Sequence, residues 1–260
     1  MKKHLLFIVS LIIIIYLPGC SHTSPESKNL EQLDHPIASG ILAPGMGTLG
    51  LIQDNYVQVF YLNEHLKWIP DKLSQFVIPE ENDGLFALGM GTLGVVNNAR
   101  VNFFRLDAEN QWKEEKRLAF EIPPRTQRII PVRMPWDMGI IGIVSGKTVF
   151  FYYYDEGYGW SADETAAFRI PPGASQYFSL GNMTMAIIEG SRLGVYFLHP
   201  EGDWRLLEDL LLELPDGFEA VIPWEPGIIA ILTGNRLDFF ALDLVQGLWI
   251  EDEAMSFIIP

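Results

Sequence analysis

Cysteine is all but absent: Cys20 is the whole complement in 260 residues. This excludes a disulfide framework and a multi-cysteine zinc site within one chain. Positive charge is scarce as well. Eighteen Lys and Arg stand against 33 Asp and Glu, a net charge of −15, which argues against nucleic acid as a partner and against a general attraction to anionic surfaces. Histidine is thin, and of His4, His22, His35, His65 and His199 only the last two lie beyond residue 40, so no histidine triad or zinc constellation can be assembled. The chain carries no GxGxxG, P-loop or HExxH pattern. No cofactor or resident metal is implied. What is present is 48% apolar and 20% charged residues, the balance of a globular chain with one large core or two small ones.

Long apolar runs are confined to the start. Lys2 and Lys3 precede Leu5 to Leu17, where Ser10 is the one clearly polar residue, a charged segment followed by an apolar one too short to span a bilayer comfortably. The run stops at Leu17-Pro18-Gly19-Cys20, which resembles the lipobox of bacterial lipoproteins. The resemblance implies removal of residues 1–19 and acylation of Cys20, leaving a lipid anchor in the bilayer. By similarity to Gram-negative lipoproteins, Ser21 after the cysteine favours the outer membrane. Residues 20–39 are polar, contain two prolines and have no sustained period; they read as a tether.

From Gly40 onward the chain repeats. Each unit closes on an apolar residue and a proline: Ile78-Pro79, Ile122-Pro123, Ile170-Pro171, Leu214-Pro215 and Ile259-Pro260, with prolines 44, 48, 44 and 45 residues apart. Trp68, Trp112, Trp160, Trp204 and Trp249 keep the same four intervals. Two independent markers in one register define five copies, at about 40–83, 84–127, 128–175, 176–219 and 220–260. The longer second interval falls at an expanded turn around Arg133 to Met138.

Each copy reads as four short strands. An apolar run such as Leu85 to Leu88 is followed by Leu93 to Val96, a turn of Asn, Gly or Ser, an aromatic-rich strand such as Val101 to Leu106, and a last strand opened by Trp and closed by Pro. Leu206 to Leu214 could be helical, but its equivalents favour strand. A four-stranded antiparallel sheet of about 44 residues exposes two apolar faces alone and must stack against its neighbours. The expected fold is all-β, a five-bladed β-propeller, with an open or stacked β-sandwich array as the alternative. No strand is left over to be shared between the first and last blades, so closure would rest on side-chain packing.

Propeller ligands usually meet one face near the axis. The second hairpins place Tyr56, Arg100, Thr148, Arg192 and Arg236 at equivalent positions, with Lys147 beside Thr148. Tyr56, Arg100, Lys147, Arg192 and Arg236 are thus candidate ligand-binding residues, donors for a carboxylate, phosphate or sulfated sugar; the plainer reading is that hairpin tips are solvated and often charged. The repeated Trp suits packing between blades better than sugar stacking, and Met46, Met90 and Met134 read as gap fillers rather than a soft-metal site. Glycosidase propellers need paired axial carboxylates, yet the first-strand segments supply Glu225 alone, with Asp137 nearby, and the axis reads as apolar. No catalytic residue is assigned. The expected function is a non-enzymatic binding or scaffold module on an envelope membrane, with an envelope protein as partner. A lectin-like binder of glycans or anionic ligands is the second expectation, and a polysaccharide-active enzyme the third.

Overall fold

The computed structural model describes residues 40–45, 47–133 and 139–260. Cys20, the rest of the tether, Met46, Met134 and Asp137 lie outside the described residues. Five antiparallel sheets follow one another along the chain. Blade 1 consists of β1 (Ile41–Gly45), β2 (Thr48–Gln53), β3 (Tyr56–Leu62) and β4 (Trp68–Val77). Blade 2 has β5 (Gly84–Gly89), β6 (Thr92–Asn97), β7 (Arg100–Leu106) and an outer position divided between β8 (Trp112–Glu114) and β9 (Phe120–Glu121). Blade 3 is β10 (Arg128–Val132), β11 (Ile140–Ser145), β12 (Thr148–Asp155) and β13 (Gly159–Arg169). Blade 4 has β14 (Gln176–Gly181), β15 (Thr184–Glu189), β16 (Arg192–Leu198) and a divided outer position, β17 (Trp204–Leu206) and β18 (Leu212–Glu213). Blade 5 is β19 (Ala220–Glu225), β20 (Ile228–Thr233), β21 (Arg236–Asp243) and β22 (Leu248–Ile258).

The first strands line the hub, where β1 lies beside both β5 and β19, and β10 and β14 complete the circuit. The ring is therefore closed, and the array alternative is excluded. Five separate apolar cores fill the five gaps between adjacent blades, as expected of sheets that cannot bury both faces alone. Among the described residues no strand is exchanged between blades 1 and 5. Among the described residues no helix is long and apolar enough to cross a membrane.

The tryptophans explain how the gaps are sealed. The indole N–H of each repeat tryptophan donates to the backbone carbonyl six residues past the Trp of the preceding blade: Trp112 to Ser74 (2.9 Å), Trp160 to Leu118 (2.7 Å), Trp204 to Ala166 (3.1 Å) and Trp249 to Leu210 (3.0 Å). Trp68 donates to Met255 (3.0 Å), so the seam between blades 5 and 1 uses the same bond as the rest. In four gaps a phenylalanine eight past the Trp meets the next indole edge-on, as Phe76 does Trp112 and Phe257 does Trp68, at centroid separations of 5.0–5.6 Å; Leu212 holds that position in the fifth. A buried polar N–H that finds an acceptor is what lets Trp occupy such a place.

The outer strands differ from the expectation in two blades. Between Val57 and Val59 the register on β4 jumps from Phe76 to Asp71, so the outer strand must absorb extra residues. In blades 1, 3 and 5 an aspartate three past the Trp caps the detour, Asp71 accepting from Leu73 N–H, Asp163 from Thr165 and Asp252 from Ala254. Blades 2 and 4 have Glu115 and Leu207 there instead. Without the short carboxylate the detour becomes a 3₁₀ turn, Lys116–Leu118 and Glu208–Leu210, which splits the strand expected over Leu206 to Leu214.

Every connection between blades is six residues long: 78–83, 122–127, 170–175 and 214–219. These connectors share one end of the ring with the β2–β3 type hairpins, as Asn98 N–H donating to Asp83 Oδ2 and Gly234 N–H to Glu219 Oε1 illustrate. The opposite end carries the first hairpins and the outer hairpins.

Candidate functional site

At the opposite end, one repeat position closes the hub. Gly45, Gly89, Arg133, Gly181 and Glu225 each end a first-strand segment. Three are glycines with φ of 97°, 97° and 83°, and two of these lie against neighbouring backbone: a Cβ on Gly45 would come 2.7 Å from Met90 N, and one on Gly181 would come 2.5 Å from Arg133 O. Side chains are excluded there by contact as well as by dihedral. The remaining two positions carry opposite charges.

Arg133 is buried at 6% exposure. Its Nη1 donates to the carbonyls of Pro223 and Trp224, so blade 3 reaches across to blade 5, and its aliphatic stem packs where a Gly89 side chain would be. Glu225 accepts from Gly47 N–H at 2.8 Å, joining blade 5 to blade 1. Burial pulls the Arg133 guanidinium down to about 10, against the opposing pull of the Glu225 carboxylate; it remains charged at neutral pH. The expectation of an apolar axis is thus corrected. Sequence reasoning weighed Glu225 for its carboxylate and overlooked Arg133, although both stand in an otherwise glycine column. Chemically the pair binds main chain, which makes this a clasp for the ring.

The expected ligand donors lie elsewhere. Tyr56, Arg100, Arg192 and Arg236 start third strands, two strands outward from the hub, so roughly 10 Å from it at ~4.8 Å per strand. Each belongs to a different blade and has a partner within that blade. Tyr56 Oη donates to Gln53 Oε1 at 2.8 Å. Arg100 faces Glu121 at 3.7 Å, Arg192 Nε donates to Glu213, and Arg236 Nε donates to Asp238 at 2.6 Å. Lys147 is exposed and forms no ion pair with a described residue. The structure does not gather these five residues into one pocket. His199, Glu201 and Asp203 do converge on one outer hairpin, but Arg205 already pairs with both carboxylates at 2.7 Å.

Apolar side chains crown the outer hairpins at the clasp end. Val245 is 96% exposed and Tyr158 90%, accompanied by Leu244 and Leu66. They come from blades 5, 3 and 1, and each hairpin is held by a side chain at its base: Asp243 accepts from Val245 N–H, Asp155 from Tyr158 N–H and Asn63 from His65 N–H. Val245, Tyr158 and Leu66 stand on separate blades, each at the tip of its own hairpin.

No family model matches the chain, and no curated protein matches it. Solved structures give distant likenesses. A protein from Lactobacillus plantarum is 11% identical, over 82% of this chain and 69% of that one, with a TM-score of 0.38. A functionally unknown protein from Desulfotomaculum acetoxidans is 13% identical over 81% and 79%, at 0.39. Hsv2 of Kluyveromyces lactis is 7% identical over 84% and 61%, at 0.41. The five-bladed ring stands on its own hydrogen bonds rather than on these likenesses.

Proposed function

We propose that this chain is an exported, lipid-anchored β-propeller that binds a protein partner at a membrane surface of the bacterial cell envelope, without transforming it. The anchor follows from the lipobox-like Leu17-Pro18-Gly19-Cys20 and the polar stretch after it. The observation that supports the binding role is that Val245 and Tyr158 are the most exposed large apolar side chains among the described residues, each on an outer hairpin at the clasp end. Glycan binding through Arg100, Arg192 and Arg236 has less support, because each is already held by a carboxylate of its own blade. Hydrolysis through Glu225 has less support too, because its carboxylate is engaged by Gly47 and faces Arg133.

A photo-crosslinking residue at position 244, introduced in the native envelope, is expected to capture one protein in stoichiometric yield, and Val245→Asp combined with Tyr158→Asp to abolish capture while the fold is kept. Scattered products of no fixed stoichiometry would overturn the reading. Cys20→Ser is expected to release the chain from the membrane and to remove incorporated palmitate.

A further inference from the structure

A cavity of about 280 Å³ lies at the outer rim of the gap between blades 1 and 2, near the lower bound of small-molecule sites. The outer strand β4 of blade 1 contributes Leu73, Gln75 and Val77 to it, and the outer hairpin of blade 2 contributes Asn110 and Gln111. Trp112, which opens β8, is half-buried in its wall. No lining residue is charged, and in this the gap differs from the other four. The same repeat positions, five, seven and nine past one Trp and the two before the next, include Arg117 and Glu121 between blades 2 and 3 and Arg169 and Asp203 between blades 3 and 4. They include Asp209 and Glu213 between blades 4 and 5, and Lys67 between blades 5 and 1. A chain of net charge −15 thus keeps one rim gap neutral and sets three side-chain amides in it.

The lining is held from behind. Buried Gln58 donates from Nε2 to the carbonyls of Val59 (2.9 Å) and Asp71 (3.1 Å), and its Oε1 accepts from Gln75 Nε2 at 2.8 Å. Gln75 is thereby oriented, with its own carbonyl oxygen left as an acceptor. Asp107 accepts from the N–H groups of Glu109 and Gln111 at 2.9 and 2.8 Å, which fixes the hairpin that carries Asn110 and Gln111. Trp112 differs from three of its counterparts. A phenylalanine stacks on Trp68, Trp160 and Trp204, namely Phe239, Phe103 and Phe151, at interplanar angles of 23–26°. Val59 stands at that position in blade 1, and among the described residues Trp112 meets only Phe76, edge-on. Its indole is anchored through Ser74 yet has no ring stacked on it.

We infer that the cavity between blades 1 and 2, walled by Trp112 and edged by Gln75, Asn110 and Gln111, is a binding site for a neutral saccharide. A pyranose ring has an apolar C–H face that an indole covers, and hydroxyls around its edge that donate and accept at once, as each side-chain amide does. A charged ligand would find no counter-ion in the lining. The site needs neither the apolar tips of blades 3 and 5 nor the lipid anchor.

Calorimetric titration of the full chain in a sugar-free zwitterionic detergent tests it, with maltohexaose, cellohexaose, chitohexaose and mannohexaose as neutral probes and an oligogalacturonate as the charged control. Saturable binding is expected for at least one neutral probe and not for the control. Gln111→Ala should weaken it about tenfold, and so should Asn110→Gly; Asn110 has φ of 58°, so glycine removes the amide without straining the hairpin. Val77→Glu gives the cavity the charge that Glu121 carries in the next gap and should abolish binding. These positions are exposed, so thermal melting should be unchanged in all three variants, which separates loss of binding from loss of fold. Ser256→Ala, at the position of Gln75 in the gap between blades 5 and 1, should have no effect. Absence of binding to all four neutral probes, undiminished binding by both amide variants, or equal binding of the oligogalacturonate would each overturn the inference. Tighter binding of an uncharged Val- and Thr-rich heptapeptide would assign the cavity to strand addition along β4 and overturn it too.

Discussion

Around the rim, one hydrogen bond recurs five times without variation in position; at the hub, one repeat position is glycine three times, arginine once and glutamate once. The rim is what any blade must do to stay beside its neighbour, so every copy keeps it. The hub is where five strand ends crowd together, and there is room for only a few side chains. Glycine makes way, Arg133 occupies the space across to blade 5, and Glu225 secures blade 5 to blade 1. Repetition holds the ring in shape, whereas departure from it fixes which blade faces which.

The largest effect should come from breaking the clasp. Arg133→Met leaves the carbonyls of Pro223 and Trp224 and the carboxylate of Glu225 without their cation, and should cost about 3 kcal/mol or more in urea unfolding. Glu225→Gln keeps an acceptor for Gly47 N–H and should cost about 1 kcal/mol. An equal cost for the two would show that the charges act as one unit. Next come the indole bonds. Trp68→Phe at the seam and Trp160→Phe within the ring each lose one N–H donor and some ring area, about 2 kcal/mol apiece. A seam variant costing over about 1 kcal/mol more would mean that closure is a weaker interface than the others.

Smaller still is the effect of moving the chain ends. A circular permutant that joins Pro260 to Gly40 through a linker of about six residues and opens at the connector between blades 2 and 3 should melt within about 4 °C of the parent, roughly 1 kcal/mol at this size. The smallest effect concerns one outer hairpin. Hydrogen bonding from Lys113 and from the Gln111 N–H lowers the Asp107 carboxyl from 3.8 to about 2, and Asp107 in turn raises the Lys113 ammonium. The carboxylate contribution is therefore present above about pH 4 and lost as pH falls through 2, and the ammonium contribution is present below 10.5 and lost above it. Lys113 is exposed and Asp107 only partly buried, so Asp107→Asn should act mainly on the slope of stability between pH 4 and pH 2.

The blades were legible because their markers are local and recurrent. Trp and Pro share one register, and strand ends such as Thr92–Asn97 fall within a residue of their expected bounds. The split of two outer strands was written three residues past the Trp, in Asp71, Asp163 and Asp252 against Glu115 and Leu207, but a short carboxylate is recognised as a cap only once the extra residues of the detour are known. Arg133 was hidden for a different reason. Its acceptors lie 90 and 91 residues away, on the far side of a ring, where no period in the sequence points. The hairpin donors were visible as a set in the sequence, but that Arg100, Arg192 and Arg236 each face a carboxylate of their own blade appears only with the strand register.

The equivalent acceptors of the five repeat indoles have a practical consequence. Each proton is held by a carbonyl of the adjacent blade, so its exchange with deuterated solvent measures the parting of two named sheets. Five nuclear magnetic resonance signals thus serve as five gauges around one circle, and whether they fade together or in turn reports whether the molecule opens as a whole or at a single joint.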